Sequence, residues 1–266
     1  MNDAIQTFRD TVYATPLRSF PWRMNTDPWH VLISEFMLQQ TQTERVIPYF
    51  NRWISLWPTP ESLAQASFEE ALREWSGLGY NRRCKYLKEC ASIITNDYQG
   101  VVPSCLEQLQ LLPGVGSYTA GAVTVFAYNY PALIIETNIR AALLHTFFSN
   151  RDAVSDTELC PILEASLDRD NPRHWYWSLM DYGVLLKKQM TNPNRQSKQY
   201  TRQSSFHGSF RQVRGAVIKA LVSGGPATLD ELKIRTGMDQ SRIEEALKIL
   251  SAEHFVAEKE HIYHID

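Results

Sequence analysis

Through the first 190 residues, apolar side chains recur at spacings of three and four, the period of a helix with one buried face. Trp29, Leu32, Ile33, Phe36 and Met37 form one such stripe, and Val46, Tyr49, Phe50, Trp53 and Ile54 form a second, in which Pro48 predicts a bend. Further helices are predicted from Leu63 to Leu78, Arg82 to Asp97, Thr157 to Leu167 and Arg173 to Leu186, punctuated by Pro103 and Asn171-Pro172. No internal repeat and no sheet-like alternation occurs in this part, which is predicted all-α.

One break in the pattern carries chemistry. Leu106 to Leu111 reads as the end of a helix, and Pro113 cannot continue it. Gly114 and Gly116 suit a tight reversal, after which Ser117 or Tyr118 opens an apolar helix through Ala122, Val123 and Phe126. The result is a helix-hairpin-helix whose loop presents backbone N–H groups at a helix N-terminus. Such a loop can hold a phosphate without any lysine, and the same hairpin can take a monovalent cation. Taken alone, a plain connector between two helices is the commoner explanation of such a turn.

The pattern changes after residue 190. Residues 191–208, with Asn192-Pro193-Asn194 and several Gln and Ser, have the composition of a basic linker. Residues 209–266 then predict helices near 209–223, 228–236 and 240–253, with Phe255-Val256-Ala257 and His261-Ile262-Tyr263 as a short hairpin. Helix, helix-turn-helix and hairpin is the order of a winged-helix-like domain. Its third helix carries Glu244, Glu245 and Glu253, which argues against base reading and for packing or partner contact. The helix holding Arg211 and Arg214 is the better phosphate-binding candidate.

Composition narrows the class without deciding it. The 266 residues are 44% hydrophobic and 21% charged, ordinary for a globular protein with room for more than one domain. No apolar run approaches the roughly 20 residues of a membrane span, and Met1-Asn2-Asp3-Ala4-Ile5 does not begin a secretion signal. A cytoplasmic protein with no membrane partner is expected. Net charge is −2, yet no acidic residue lies between Asp181 and Asp230, where Lys187, Lys188, Arg195, Lys198, Arg202, Arg211, Arg214 and Lys219 occur. Arg82, Arg83, Lys85 and Lys88 form a shorter basic cluster. Segregation of this kind predicts contact with nucleic acid phosphates. The four cysteines, Cys84, Cys90, Cys105 and Cys160, fit no zinc spacing and read as free thiols.

Phe20-Pro21-Trp22-Arg23, Ser34-Glu35-Phe36-Met37-Leu38-Gln39-Gln40-Thr41-Gln42, Gly77-Leu78-Gly79-Tyr80 and Glu136-Thr137-Asn138 flank the hairpin in order. Together with Leu112 to Ala122 they resemble the MutY-type adenine DNA glycosylases of the helix-hairpin-helix superfamily, over roughly residues 5 to 187. The resemblance implies two helical subdomains flanking an active-site cleft (residues 1–190), a double-stranded DNA partner with a mispaired or damaged base, and a monomer. It usually also implies a four-cysteine iron–sulfur cluster. Here Met180 to Leu186 matches the helix leading to the cluster, but Lys187 stands at the first ligand position and no cysteine follows. No cluster and no other cofactor is expected, apart from the monovalent cation that the hairpin can take.

Breaking an N-glycosidic bond needs an acid to protonate the departing base and a carboxylate to stabilise the cationic sugar. The resemblance gives these roles to Glu35 and Glu136. Apolar neighbours of Glu35 should raise its pKa. The resemblance calls for an aspartate at position 136, so the carboxylate there extends one methylene further. That leaves an active enzyme with an adjusted pocket, a slow enzyme, or a DNA-binding relative without catalysis; the retained charge favours activity. Asn138 is expected to order the carboxylate loop or cap the next helix. Tyr118 stands where bifunctional relatives place a catalytic lysine, and a phenol forms no Schiff base, so strand cleavage should be weak. Gln39, Gln40 and Gln42 would probe the duplex, and Tyr80 would wedge beside the opposite base. Trp22, Trp177, Gly114, Gly116, Arg211 and Arg214 complete the expected substrate- and DNA-binding set. By the resemblance, Trp177 replaces a glutamine on which adenine specificity partly depends, and no 8-oxoguanine-recognition domain is expected. Adenine opposite 8-oxoguanine or guanine is the expected substrate, with mismatched thymine or uracil as the alternative.

Overall fold

The computed structural model describes residues 2–201 and 206–266. Among these the chain is mostly helical. The elements run α1 (Asn2–Tyr13), α2 (Pro21–Met24), α3 (Pro28–Leu38), α4 (Thr43–Leu56), α5 (Pro60–Gln65), α6 (Phe68–Trp75), α7 (Arg82–Asp97), α8 (Leu106–Gln110), α9 (Ser117–Phe126), α10 (Thr137–Phe147), α11 (Asp156–Ser166) and α12 (Pro172–Gln189). A 3-10 turn at Pro193–Gln196 is followed by α13 (Phe210–Gly224), α14 (Leu229–Thr236), α15 (Gln240–Ala252) and an antiparallel hairpin of β1 (Val256–Lys259) and β2 (Ile262–Ile265). No helix among the described residues is long and apolar enough to cross a membrane.

Local chemistry explains where the elements depart from the periodicity. The single helix expected over 63–78 is two helices, because Ser67 accepts from the Glu70 N–H (3.1 Å) while Glu70 accepts from the Ser67 N–H (2.7 Å). That capping box restarts the chain as α6. Thr59 and Ser62 start α5 in the same way. Helix α4 continues through Pro48. In the hairpin between α8 and α9, only Gly114 uses the left-handed region (φ +71°); Gly116 is the N-cap of α9 at φ −82°, so both glycines are not needed for the reversal. At the C-terminal hairpin, Glu260 and His261 both have positive φ (53° and 63°), the two-residue turn that matches strand twist. The strands therefore begin and end later than the pattern of apolar residues suggests.

The chain divides into two compact units, each assembled from two segments: Met1–Glu35 with Val102–Arg202, and Phe36–Val101 with Gln203–Asp266. This division cuts across the sequential one at residues 190 and 208, because side chains of the last segment pack on those of 36–101. Phe255 meets Phe68 at a centroid distance of 5.6 Å, and Lys85 donates to the Glu253 carbonyl. The start of the expected linker also packs. Asn194 is buried, its amide donating to the Thr137 carbonyl at 2.9 Å, and Ser197 bridges Val154. Residues 202–205, and Arg202 with them, lie outside the described residues.

The first unit has α10 lying along α12, with Phe8 of α1 set edge-on to Phe147 (5.1 Å) and Trp175 (6.0 Å). Its extended segment before α10 is held from two sides. Tyr176 donates to the Ala132 carbonyl (2.9 Å) and accepts from the Ile134 N–H (3.3 Å), while Gly121 of α9 lets Ile134 approach closer than any Cβ would allow. Gly183 of α12 does the same for the Asn138 backbone, whose carbonyl a Cβ would overlap. These close approaches set the position of residue 136. In the second unit, Trp53 packs edge-on against Trp57 (4.8 Å) and Trp75 (5.2 Å).

Candidate active site

Glu35 lies near the end of α3, whose Val31, Leu32, Ile33, Phe36 and Met37 are all buried, and only 6% of Glu35 itself is exposed. Burial pushes its pKa up to about 7; the Tyr118 hydroxyl, which donates to it, pulls the other way, and the nearby Glu136 charge adds to the rise. Near neutral pH, Glu35 can therefore both hold and release a proton. Tyr118 is half-buried on the first turn of α9, and burial together with the two carboxylate charges raises its pKa well above that of a free phenol. Its hydroxyl stays protonated and serves as a donor.

Glu136 is the N-cap of α10, a role usually filled by shorter side chains. Its Oε1 accepts from the backbone N–H groups of Asn138 (2.7 Å) and Ile139 (2.9 Å), and its Oε2 accepts from the Asn138 side-chain amide (3.0 Å). Asn138 therefore does not cap α10. It orders the carboxylate that does. The extra methylene of Glu136 is taken up in this arrangement with both oxygens bonded. Burial raises the Glu136 pKa, against those hydrogen bonds and the charge of Lys187. Arg140, on the next turn, is held away by a two-point ion pair with Asp156, both bonds 2.7 Å.

Other expected site residues are engaged within the protein. Trp22 is buried and stacked on Phe20 at 5.0 Å. Trp177 stacks on Phe126 (6.3 Å) and has the Arg23 guanidinium 5.6 Å from its ring centroid. Arg23 and Arg18 converge on the buried Asp181, with Nη1 of Arg23 and Nε of Arg18 each 2.7 Å from a carboxylate oxygen. Burial works against the Asp181 charge, but these two arginines outweigh it and hold the pKa below the usual range. At the hairpin, no side chain caps α9, and the space a Gly116 Cβ would occupy is open, so the first amides of α9 face an uncrowded surface.

The remaining residues cluster in the second unit. Gln39 and Gln40 form the turn after α3, with Gln40 at φ +54°, and Gln42 is the N-cap of α4. Tyr80, at φ +50°, is exposed at the end of the Gly77–Tyr80 turn. Arg83 joins the two turns. Its guanidinium is buried and donates to the carbonyls of Phe36 (2.8 Å), Met37 (2.9 Å), Gln39 (2.6 Å) and Gly79 (2.9 Å), and to the Thr41 hydroxyl (3.1 Å). Burial lowers its pKa to about 10, which leaves it charged. The sequence reading placed Arg83 among phosphate-facing cations. The missed signal was its register on the same α7 face as Leu87, Cys90, Ala91 and Ile94. Arg82, Lys85 and Lys88 are also spent internally, on Glu253, the Glu253 carbonyl and the Ala64 carbonyl. Arg214 pairs with Glu253, and Arg211 donates to the Tyr80 hydroxyl. Lys188, Arg195, Lys198 and Lys219 are exposed.

A family model for HhH-GPD superfamily base excision DNA repair proteins matches residues 33–160. The chain is 34% identical over 271 aligned residues to an adenine DNA glycosylase of Mycobacterium tuberculosis, covering 92% of this chain and 87% of that one. An adenine DNA glycosylase of Mycolicibacterium smegmatis is 40% identical over 171 residues, 64% of this chain and 58% of that one. Among solved structures, a thermostable thymine-DNA glycosylase superposes with a TM-score of 0.64 at 25% identity, covering 72% of this chain and 91% of that one.

Proposed function

This chain belongs to the HhH-GPD superfamily of base excision DNA repair proteins, and we propose that within it the protein is a monofunctional DNA glycosylase. The observation that carries this reading is the pairing of a buried, proton-holding Glu35 with the doubly anchored Glu136 carboxylate. Glu35 gives its proton to a ring nitrogen of the flipped base, so that the base leaves neutral. Glu136 then faces the positive charge that develops on the sugar, an electrostatic term worth several kcal/mol in a water-poor site. Tyr118 orients Glu35 and cannot form a Schiff base, so cleavage of the strand is weak or absent.

Adenine opposite 8-oxoguanine or guanine is the proposed substrate, supported by the names of the relatives at 34% and 40% identity. Mismatched thymine or uracil is the second reading, favoured by Trp177 and by the similarity to a thymine-DNA glycosylase. Gln39, Gln40, Gln42 and Tyr80 approach the lesion, and the amides after Gly114 and Gly116 take a backbone phosphate, with a monovalent cation at the hairpin. Exposed Lys188, Arg195, Lys198 and Lys219 add phosphate contacts. Residues 209–266 are read as a winged-helix-like module joined to the glycosylase region 1–190.

The donor set does not suit a four-cysteine iron–sulfur cluster. Cys84 and Cys90 are buried in α7, no cysteine follows Cys160, and Lys187 occupies the end of α12. We therefore propose that the protein works without one. A duplex panel with A opposite 8-oxoguanine, A opposite G, T opposite G and U opposite G, scored for base release after hot alkali, tests the substrate. Release from the first two supports adenine, release from the last two supports the second reading, and none from any points to a DNA-binding protein without catalysis.

A further inference from the structure

A buried carboxylate and a half-buried one that share an electrostatic field cannot both ionise freely, and something must decide which keeps the proton. Glu35 and Glu136 are such a pair, and the proposed reaction needs the proton on Glu35 and the charge on Glu136. The protein surrounds them asymmetrically. Glu35 receives one neutral donor, the Tyr118 hydroxyl. Glu136 receives two α10 amides and the Asn138 side chain, and a cation besides.

That cation is Lys187. Gly183 brings α12 against the Asn138 backbone with no room for a Cβ, and Lys187 follows on the same helix face one turn later. The half-buried Lys187 thus lies where its charge acts on Glu136. The charged and titratable groups around Glu136 are Glu35 from α3, Tyr118 from α9, Arg140 from α10 and Lys187 from α12, with Arg18 acting on Lys187 in turn. Arg140 is already committed to Asp156. Lys187, which no ion pair among the described residues engages, is the cation whose charge favours the ionised Glu136.

We propose that Lys187 is a positioning residue for the carboxylate pair: it fixes the negative charge on Glu136 and so leaves the shared proton on Glu35. This inference rests on the glycosylase reading, which assigns opposite protonation states to the two groups. It also gives a role to the lysine at the end of α12, where the resemblance led one to expect a cysteine.

The test compares the full-length wild type with Lys187→Met, Lys187→Gln and Lys187→Arg. Carboxyl-carbon NMR titration reads the proton's location without turnover. In wild type, Glu35 should titrate at a higher pH than Glu136. In Lys187→Met and Lys187→Gln, the Glu136 titration should move up by about one unit or more, and Lys187→Arg should restore it. Single-turnover base release should fall about tenfold or more at the acid end of the profile, with the loss shrinking as pH rises. Duplex affinity and its salt dependence should stay unchanged. A Glu136 titration that does not move in the neutral variants overturns the proposal, as does a pH-independent rate loss accompanied by a weaker salt slope, which would make Lys187 a phosphate contact. Absence of base release by wild type on every duplex would sink the glycosylase reading, while the titration would still decide the role of Lys187.

Discussion

Arg211 Nη1 donates to the Tyr80 hydroxyl at 2.6 Å across 131 residues of sequence, and its guanidinium lies 5.8 Å from the centre of the same ring. Arg83 flanks that ring as well, at 5.5 Å. An exposed tyrosine in a left-handed turn is thus steadied by an arginine from the last quarter of the chain. Arg211 and Arg83 are engaged in shaping the Tyr80 turn, and the proposed phosphate contacts fall first to the exposed Lys188, Arg195, Lys198 and Lys219.

From this, Arg211→Ala should weaken duplex binding and also blunt discrimination between mismatched and matched duplexes, because Tyr80 loses its support. Lys219→Ala, at an exposed position, should lower affinity for all duplexes alike and reduce the salt slope by about 1. Binding isotherms on matched and mismatched duplexes at several salt concentrations separate the two. Identical behaviour of the variants would remove any role for the Tyr80 contact.

Arg83→Met should leave several buried carbonyls without donors. Breaking a buried hydrogen-bonded charge network costs about 3 kcal/mol or more, which corresponds to a Tm lowered by roughly 6–12 °C. Arg83→Lys should fall between wild type and Met, since one ammonium cannot reach acceptors on both turns. Thermal unfolding checks this, and a Tm within about 1 °C of wild type for Arg83→Met would contradict the hub.

Glu35 links activity to stability. Its folded-state pKa of about 7 lies above that of the unfolded chain, so the folded protein binds more protons in between. Stability is therefore lost as pH rises from the unfolded carboxylate range through 7, by roughly 3 kcal/mol in total. Glu35→Gln carries no such penalty. It should be more stable than wild type at pH 8 while base release collapses, and the stability difference should vanish near pH 4. Urea unfolding at both pH values measures it. Wild-type base release should itself fall about tenfold per pH unit above 7, as the acid is lost.

At position 136 the expected outcome separates folding from rate. Aspartate is the better N-cap, so Glu136→Asp should keep or raise stability. Its carboxylate would sit about one methylene away from the wild-type position, and rates respond to misplacement of about 1 Å. Base release should be slower than wild type and faster than Glu136→Gln. A Glu136→Asp variant faster than wild type would show a pocket still shaped for the shorter side chain.

Much of this was legible in the residues themselves. The stripe from Trp29 to Met37 announces α3 and the burial of Glu35, and Pro113 with Gly114 marks the reversal before α9. Glu136 is identified by its place in the motif that resembles the MutY-type glycosylases, but not as the cap of α10, because glutamate rarely fills that position and only the geometry shows Oε1 bonded to two amides. Arg83 was assigned by composition, whereas its helical register would have placed it inside. The packing of the last helices and hairpin on 36–101 has no local signal, since Phe68 and Phe255 are ordinary apolar residues until they meet. The break at Ser67 could have been read, because Ser67 and Glu70 have the spacing of a capping box.

The measurement closest to the central claim is single-turnover base release, under one set of conditions, by wild type, Glu35→Gln and Glu136→Gln on a duplex with adenine opposite 8-oxoguanine, with duplex affinity measured in parallel. Wild type should release the base. Each variant should be slower by about two orders of magnitude or more while binding the duplex as wild type does. Wild-type rates in Glu136→Gln would contradict the two-carboxylate account.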